Sequence, residues 1–542
     1  MVKIRIALLV IAATFSVFAE FGKTPVGWGD MRFGLVNDQG EHHRHSNRRI
    51  KTAVQELGIN ITYRYRYVNN GIDPRRNNIP NIFPWRWNNN YSKHSMDSAG
   101  VQAAYVIYVL QEDREPADET LKRNINNPDS AAMFFWTLQI VAENAAGFGS
   151  TIIVEPDTWG YVLQRAHDNS GSSIIKEICP SRIPARVNDL QNFTVMDTIA
   201  DPTRPWDESL WQIREKEINF DHLRDLPNTM SGFGVAIIRT IRKFAPDAYI
   251  GFLASHWSVN LNLGGGGNGW NTGLVWSSPA LIDTSAKMNI EFFSKLYGFT
   301  DPAITLKPGD RADFIGMEKN GWCAGQYEVE KRSMEWYWGD AQMENYLKWV
   351  KQVAQGLDLP VVGWQISIGN MDNPNVSGSW KDDFFPYFFQ NVDKFIDAGF
   401  IGFLVGKGLA FGTDYALPGE NDGDRGWFFS QLMEFDKGRP YYTEKDEIGY
   451  NGNGGGENPS SIINLRKKSN SINIAAVGKS LHITMEGRNN AVISVFDVSG
   501  RRVFRSRVNQ NAVIPLNNLT SGVYFVRMES SGINHTSRVL LR

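Results

Sequence analysis

The chemistry this chain could perform is concentrated in TIIVEPDTWG, Thr151 to Gly160, where an apolar run stops at Glu155 and Asp157 and is followed by Trp159. A buried strand that ends in two carboxylates delivers both acids to one edge of a sheet. Glycosidic cleavage needs such a pair, one carboxyl protonated to assist the leaving oxygen and the other acting as base on water or as nucleophile. An indole beside them could pack on the C–H face of a sugar. The run therefore predicts the floor of a sugar-cleaving site.

Such acids must be held by a rigid frame. Apolar runs of strand length alternate with helix-length amphipathic segments, the signature of parallel βα units. Eight strands are expected: Pro25 to Gly34, Ile61 to Val68, Ala104 to Leu110, Thr151 to Glu155, Ala248 to Leu253, Asp313 to Met317, Pro360 to Ile366 and Phe400 to Val405. Helical patterns fill most gaps, including Asp129 to Ala146, Met230 to Phe244, Ala286 to Tyr297, Ala341 to Gln355 and Asp382 to Asp397. The fold class expected is α/β, a (β/α)8 (TIM-like) barrel followed by a small all-β sandwich. A seven-stranded distorted barrel would give nearly the same string.

In a barrel the working residues end the strands. On that rule the catalytic candidates are Asp157, Glu155, Glu318, Asp113, Glu115 and Asp414, and the substrate-contacting candidates are Asp30, Trp159, His256, Trp257, Trp322, Trp364, Gln365 and Lys407. A single acid among these is as readily a salt bridge or a loop cap. The whole ring is harder to explain that way, because unpaired buried carboxylates are costly. His256 is read as orienting a carboxylate or hydroxyl, against a plain hydrogen-bonded core histidine. The run GGGGNGWNTG (Gly264 to Gly273) lacks a following Lys-Ser/Thr and so is no phosphate cradle. His42, His43 and His45 stand in what reads as a polar turn without a matching carboxylate spacing, so no metal site is expected. No Gly-x-Ser-x-Gly elbow or nucleotide motif occurs, and no cofactor is expected.

Residues 1–19 read as a signal peptide, with Lys3 and Arg5 ahead of an apolar run and Ala19 at the cleavage position. No later stretch is apolar for long enough to span a membrane. Cys179 and Cys323 are too few for a disulfide scaffold, and whether they pair is left open. All 17 tryptophans lie between Trp28 and Trp427, and Asn451 to Ser461 is a Gly/Asn/Ser linker. The expected boundaries are therefore a barrel over 20–445, a linker over 446–461 and a sandwich over 462–542. The net charge of −2 hides an asymmetry, since residues 461–542 hold 12 Lys+Arg against 3 Asp+Glu. The large domain is thus acidic, which argues against nucleic acid as its ligand.

Two resemblances extend this reading. VFDVSGRRV (Val495 to Val503), LNNLTSGVYFVRM (Leu516 to Met528) and the terminal SRVLLR together resemble the type IX secretion C-terminal sorting domain, which implies export and the export machinery as a partner. The Glu-Pro-Asp strand end resembles glycoside hydrolase family 6. That resemblance implies Asp157 as general acid, Glu155 as its structural neighbour, and a supporting acid from YVLQEDRE (Tyr108 to Glu115), either Asp113 or Glu115. The late motif of that family is matched by VGKGLAFGTD, where Lys407 fits, the proline is missing and Asp414 is displaced. Retaining barrels of the large clan with Asn-Glu after strand four and Glu after strand seven are a poorer match, since Val154 precedes Glu155 and strand seven ends in Gln365.

The expectation is a secreted or cell-surface glycoside hydrolase acting on a plant-type polysaccharide, β-glucan or cellulose-like. The alternative is a non-catalytic surface carbohydrate-binding or adhesion protein on a degenerate barrel.

Overall fold

The computed structural model describes residues 31–36, 41–69, 71–72, 91–110, 123–166, 180, 183–199, 212–259, 279–319, 338–368, 384–406, 414–421 and 423–436, and in the tail 472–477, 479–485, 491–496, 502–508, 512–520, 522–530 and 533–541. The chain divides into two compact units, Met1–Gly452 and Asn453–Arg542.

In the first unit β1 (Arg32–Val36), β2 (Ile61–Val68), β3 (Gln102–Ile107) and β4 (Thr151–Val154) are followed by the antiparallel pair β5 (Phe193–Ile199) and β6 (Gln212–Ile218). Then come β7 (Tyr249–Ala254), β8 (Phe314–Glu318), β9 (Val361–Ile366) and β10 (Phe400–Val405). All but β5 and β6 close into an eight-stranded parallel barrel in the order β1-β10-β9-β8-β7-β4-β3-β2. The helices are α1 (Glu41–Gln55), α2 (Tyr91–Ala99), α3 (Pro128–Ala145), α4 (Thr158–Ala166), α5 (Met230–Phe244), α6 (Pro279–Leu296), α7 (Asp340–Leu357), α8 (Phe384–Gln390), α9 (Val392–Asp397) and α10 (Trp427–Asp436).

Most strands are apolar on both faces because one face fills the barrel and the other is covered by helices, whereas β2 alternates tyrosines with the buried Arg64 and Arg66. β4, β7 and β8 are buried throughout. Gly251 in β7 is needed for this packing, since a Cβ there would lie 2.0 Å from the ring of Phe314 on β8. The seam where β1 meets β10 is covered by phenylalanines: Phe33 and Phe403 stack at 6.0 Å, and Phe388 of α8 meets Phe403 edge-on at 5.0 Å. On the opposite flank Phe134 of α3 stacks on Phe233 of α5 at 5.4 Å. Asn127 caps α3 by accepting from Asp129 and Ser130, and Pro128 opens the helix, where its missing N–H costs nothing.

At the amino ends of the strands, ion pairs fasten α5 to the barrel. Arg239 holds Asp310 through two nitrogens at 3.0 and 2.6 Å, and Arg242 pairs with the fully buried Asp313. Asp313 also accepts from Ile250 N at 2.8 Å, which ties β8 to β7. Asp313→Ala leaves the Arg242 guanidinium without its carboxylate and is expected to cost about 3 kcal/mol, read as a lower urea midpoint.

Several expectations are corrected here. The stretch holding His42, His43 and His45 is not a turn but the start of α1. The helix expected over Asp382 to Asp397 is two, broken at Asn391. The β5–β6 hairpin was not expected; Phe193 fixes it by packing edge-on against Trp136 of α3 at 5.7 Å.

Among the described residues the second unit has seven antiparallel strands: β11 (Ile472–Val477), β12 (Ser480–Met485), β13 (Ala491–Phe496), β14 (Arg502–Val508), β15 (Ala512–Pro515), β16 (Gly522–Ser530) and β17 (Ile533–Leu541). They form one sheet ordered β11-β12-β15 and another ordered β14-β13-β16-β17. Leu481, Ile483 and Ile514 of the first sheet share a core with Ile493, Val495 and Val526 of the second.

Candidate active site

The carboxyl ends of β3, β4, β7 and β8 bring together Tyr108, Glu155, Asp157, Trp257 and Glu318. β4 stops because Glu155 takes the left-handed conformation, φ 48°, which an L-residue adopts only when its surroundings hold it there. They do so here. The Glu155 carboxylate is fully buried and accepts from Val109 N at 2.7 Å, Leu110 N at 3.0 Å and Thr158 Oγ1 at 3.1 Å. It therefore clamps the exit of β3 onto the turn after β4. Glu155→Ala would strand two buried N–H groups and is expected to cost about 3 kcal/mol in urea unfolding, with Val109 and Leu110 losing their anchor.

Tyr108, just beyond β3, donates its Oη–H to Asp157 Oδ2 at 2.8 Å. Asp157 is partly exposed, whereas Glu318 at the end of β8 is 2 % exposed. Glu318 Oε1 accepts from Trp257 Nε1 at 2.5 Å. Its main-chain oxygen accepts from Tyr346 Oη of α7 at 3.1 Å.

The electrostatics follow from this burial. Desolvation raises the Glu318 carboxyl to about 8, the neighbouring charge of Asp157 pushes it the same way, and the Trp257 N–H opposes the shift. Burial also raises Asp157, with the Tyr108 hydroxyl opposing. Desolvation lifts Glu155 to about 7 against its two backbone donors. The Asp157 charge thus disfavours ionisation of Glu318, and burial disfavours ionisation of both acids. Such a pair can donate to a leaving group and assist a nucleophile in one site.

The other anticipated residues fall into three groups. Trp159 does not face a ligand: its indole is 1 % exposed, donates to Val154 O at 2.7 Å and stacks on Phe252 at 4.7 Å. The helix α4 starts at Thr158 and turns this side chain back under the strand, so it belongs to the core. His256 is buried edge-on to Trp338 and Tyr346, and desolvation lowers it to about 4. It is a neutral ring behind Glu318, in contact with the main chain of that residue. Trp364 is buried on β9 and meets Tyr67 of β2 edge-on at 6.2 Å across the barrel.

Gln365 occupies a β-bulge, φ 54°, where β10 skips from Trp364 to Ile366. It is partly exposed at the strand end. The Asp414 carboxylate accepts from Tyr415 N and its carbonyl from Asp424 N. The structure places it with Asp424, which anchors the loop after β10 by accepting from Ala416, Gly426 and Phe428. Asp30, Asp113, Glu115, Trp322 and Lys407 lie outside the described residues, as do the signal segment and both cysteines.

Tyr108 opens the YVLQEDRE stretch matched to the family's strand end but is not among the site residues expected from the sequence, and a second residue at this site has no such match. Lys319 follows Glu318 and is buried at 1 %, its ammonium over the rings of Trp338 at 5.9 Å and Phe384 at 5.6 Å. Strand alternation was the available signal, since adjacent Glu and Lys at a strand end face opposite sides.

Residues 477–542 match the secretion system C-terminal sorting domain. The tail thus directs the protein to the cell surface or the exterior, with the export machinery as its partner. Among the described residues no helix is long and apolar enough to cross a membrane. No curated protein matches the chain by sequence. In fold the chain is similar to β-glucuronidase 2 of Bacteroides uniformis, at 11% identity and a TM-score of 0.33, covering 95% of this chain and 46% of that one. The chain thus spans a little under half the length of that enzyme. It is also similar to an endo-β-1,4-mannanase double mutant of Cellulomonas fimi, at 10% identity and a TM-score of 0.34, covering 94% of each chain. A thermostable mutant of a xylanase from Cellvibrio japonicus is similar at 10% identity and a TM-score of 0.34, covering 76% of this chain and 99% of that one.

Proposed function

We propose that the barrel is a glycoside hydrolase that cleaves a β-glucan-type polysaccharide outside the cell, with Asp157 and Glu318 as its reacting carboxylates. The observation that carries this reading is the pairing itself: two acids from β4 and β8, each held by a ring donor, at the mouth of a parallel barrel. Among the described residues no ion pair involves either acid.

The more deeply buried Glu318 retains its proton and supplies it to the glycosidic oxygen. Asp157 is reachable from the mouth and receives the Tyr108 hydroxyl, so it is the ionised partner, acting as base on water or as nucleophile. Burial thus reverses the roles that the family resemblance implies for Asp157. Glu155 is a positioning residue, its lone pairs already taken by backbone and hydroxyl donors.

The test is reducing-end release by the full chain from a panel of β-glucans, xylan, mannan and chitin. Release from a β-glucan is the expected outcome. Retention of glycan with no release from any of them would replace this reading by the carbohydrate-binding one.

A further inference from the structure

The strand β7 lies between β4 and β8 in the barrel, so the residue at its end stands between the two strands that carry the acids. That end is the short 3-10 turn His256–Ser258, closed by Ser258 N to Ser255 O at 3.0 Å. Trp257 at its centre reaches both ways. Its Nε1–H holds Glu318 Oε1 at 2.5 Å. The far edge of the same indole is seated on Gly160, where an added Cβ would lie 2.5 Å from Cη2 and 2.8 Å from Cζ3. Beside it the ring of Tyr161 packs at 5.0 Å. Gly160 and Tyr161 form the first turn of α4 after Asp157, and Tyr161 N donates to the Asp157 carbonyl at 3.2 Å.

From this geometry we infer that Trp257 is a positioning residue, a strut that fixes the separation between Asp157 and Glu318. The inference rests on those two acids being the reacting pair. An indole suits the task because it is rigid, has one directional donor at one end and presents a flat hydrocarbon edge at the other. Gly160 suits it because any side chain would occupy the seat. A sugar-stacking role would leave the N–H and this edge unused, whereas here both are engaged within the protein.

Two variants separate the two ends of the strut in the full chain. Trp257→Phe keeps a ring on the seat and removes the donor; Gly160→Ala keeps the donor and fills the seat. Protonation of Glu318 is followed directly by infrared difference spectroscopy, its carboxyl C=O band being assigned by its loss in Glu318→Gln. Because the N–H favours the ionised carboxylate, Trp257→Phe is expected to move this titration upward by about one pH unit. For both variants kcat should fall by about 10²-fold while KM stays within about threefold. An unmoved Glu318 titration in Trp257→Phe, with the loss in both variants confined to KM, would overturn the inference and make the ring a substrate contact. A shifted titration in a protein that hydrolyses none of the glycans would uphold the strut and remove the hydrolase reading. Hydrolysis that persists in both variants at full rate would do the reverse.

Discussion

Replacing Asp157 by Asn is expected to lower hydrolysis by about 10³-fold while the protein keeps its melting temperature to within a few degrees. The amide matches the carboxylate in shape and still accepts from Tyr108 Oη through its oxygen. What it loses is the ability to take a proton or to attack carbon. Glu318→Gln should behave differently on an activated aryl glycoside, whose phenolate leaves without a proton. There Glu318→Gln is expected to retain most of its rate, whereas Asp157→Asn stays inactive. If the two variants exchange these behaviours, Asp157 is the acid and the role implied by the family resemblance holds after all. Undiminished hydrolysis in Asp157→Asn would remove this residue from the mechanism.

The second large effect is on the pH dependence, which Glu318 should dominate. Its carboxyl is lifted from 4.5 to about 8, so the folded state binds this proton more tightly than the unfolded state does. The resulting stabilisation is complete below the unfolded value, near 4.5, and is lost as pH rises through about 8. Glu155 and Asp424, both raised to about 7 by burial, act in the same direction. The wild-type melting temperature is therefore expected to fall between pH 4.5 and 8, and to fall less in Glu318→Gln. The rate should follow the same group. Wild-type kcat declines above about pH 8 as the donor ionises, and the residual activity of Glu318→Gln lacks that limb. A wild-type profile flat through pH 8, with a melting temperature that rises over the same range, would contradict both halves of this argument.

The parallel frame was legible because strands buried on both faces read as largely apolar runs, interrupted in β2 by Arg64 and Arg66. Ile61–Val68 and Phe400–Val405 lie where the runs place them, and the sixth strand is displaced by a single residue, Phe314–Glu318 against Asp313 to Met317. Strand ends were less legible, since they depend on backbone conformation rather than hydropathy. β3 ends at Ile107, so Tyr108 to Leu110 lie in the turn where Glu155 can hold them. In the site, acids at strand ends could be collected from the sequence, but not the partners that sort them. Nothing in TWGY distinguishes Trp159, turned into the core, from Trp257, turned toward Glu318; the direction of α4 and the glycine at 160 decide that. Asp414 follows the same strand-end rule, but the sequence carries no sign of its hydrogen bonds to Tyr415 and Asp424 in the loop after β10.

The two units also differ in how they present main-chain hydrogen-bonding groups to their neighbours. A closed barrel has no terminal strand, so its sheet offers no template on which another polypeptide could add. The tail sheets are open, and β14 forms a lateral border of the four-stranded one. Its exposed residues are Arg502, Arg505 and Arg507. Like charges along such a border disfavour pairing with the corresponding strand of a second molecule, so the basic residues that mark the tail also guard its open edge.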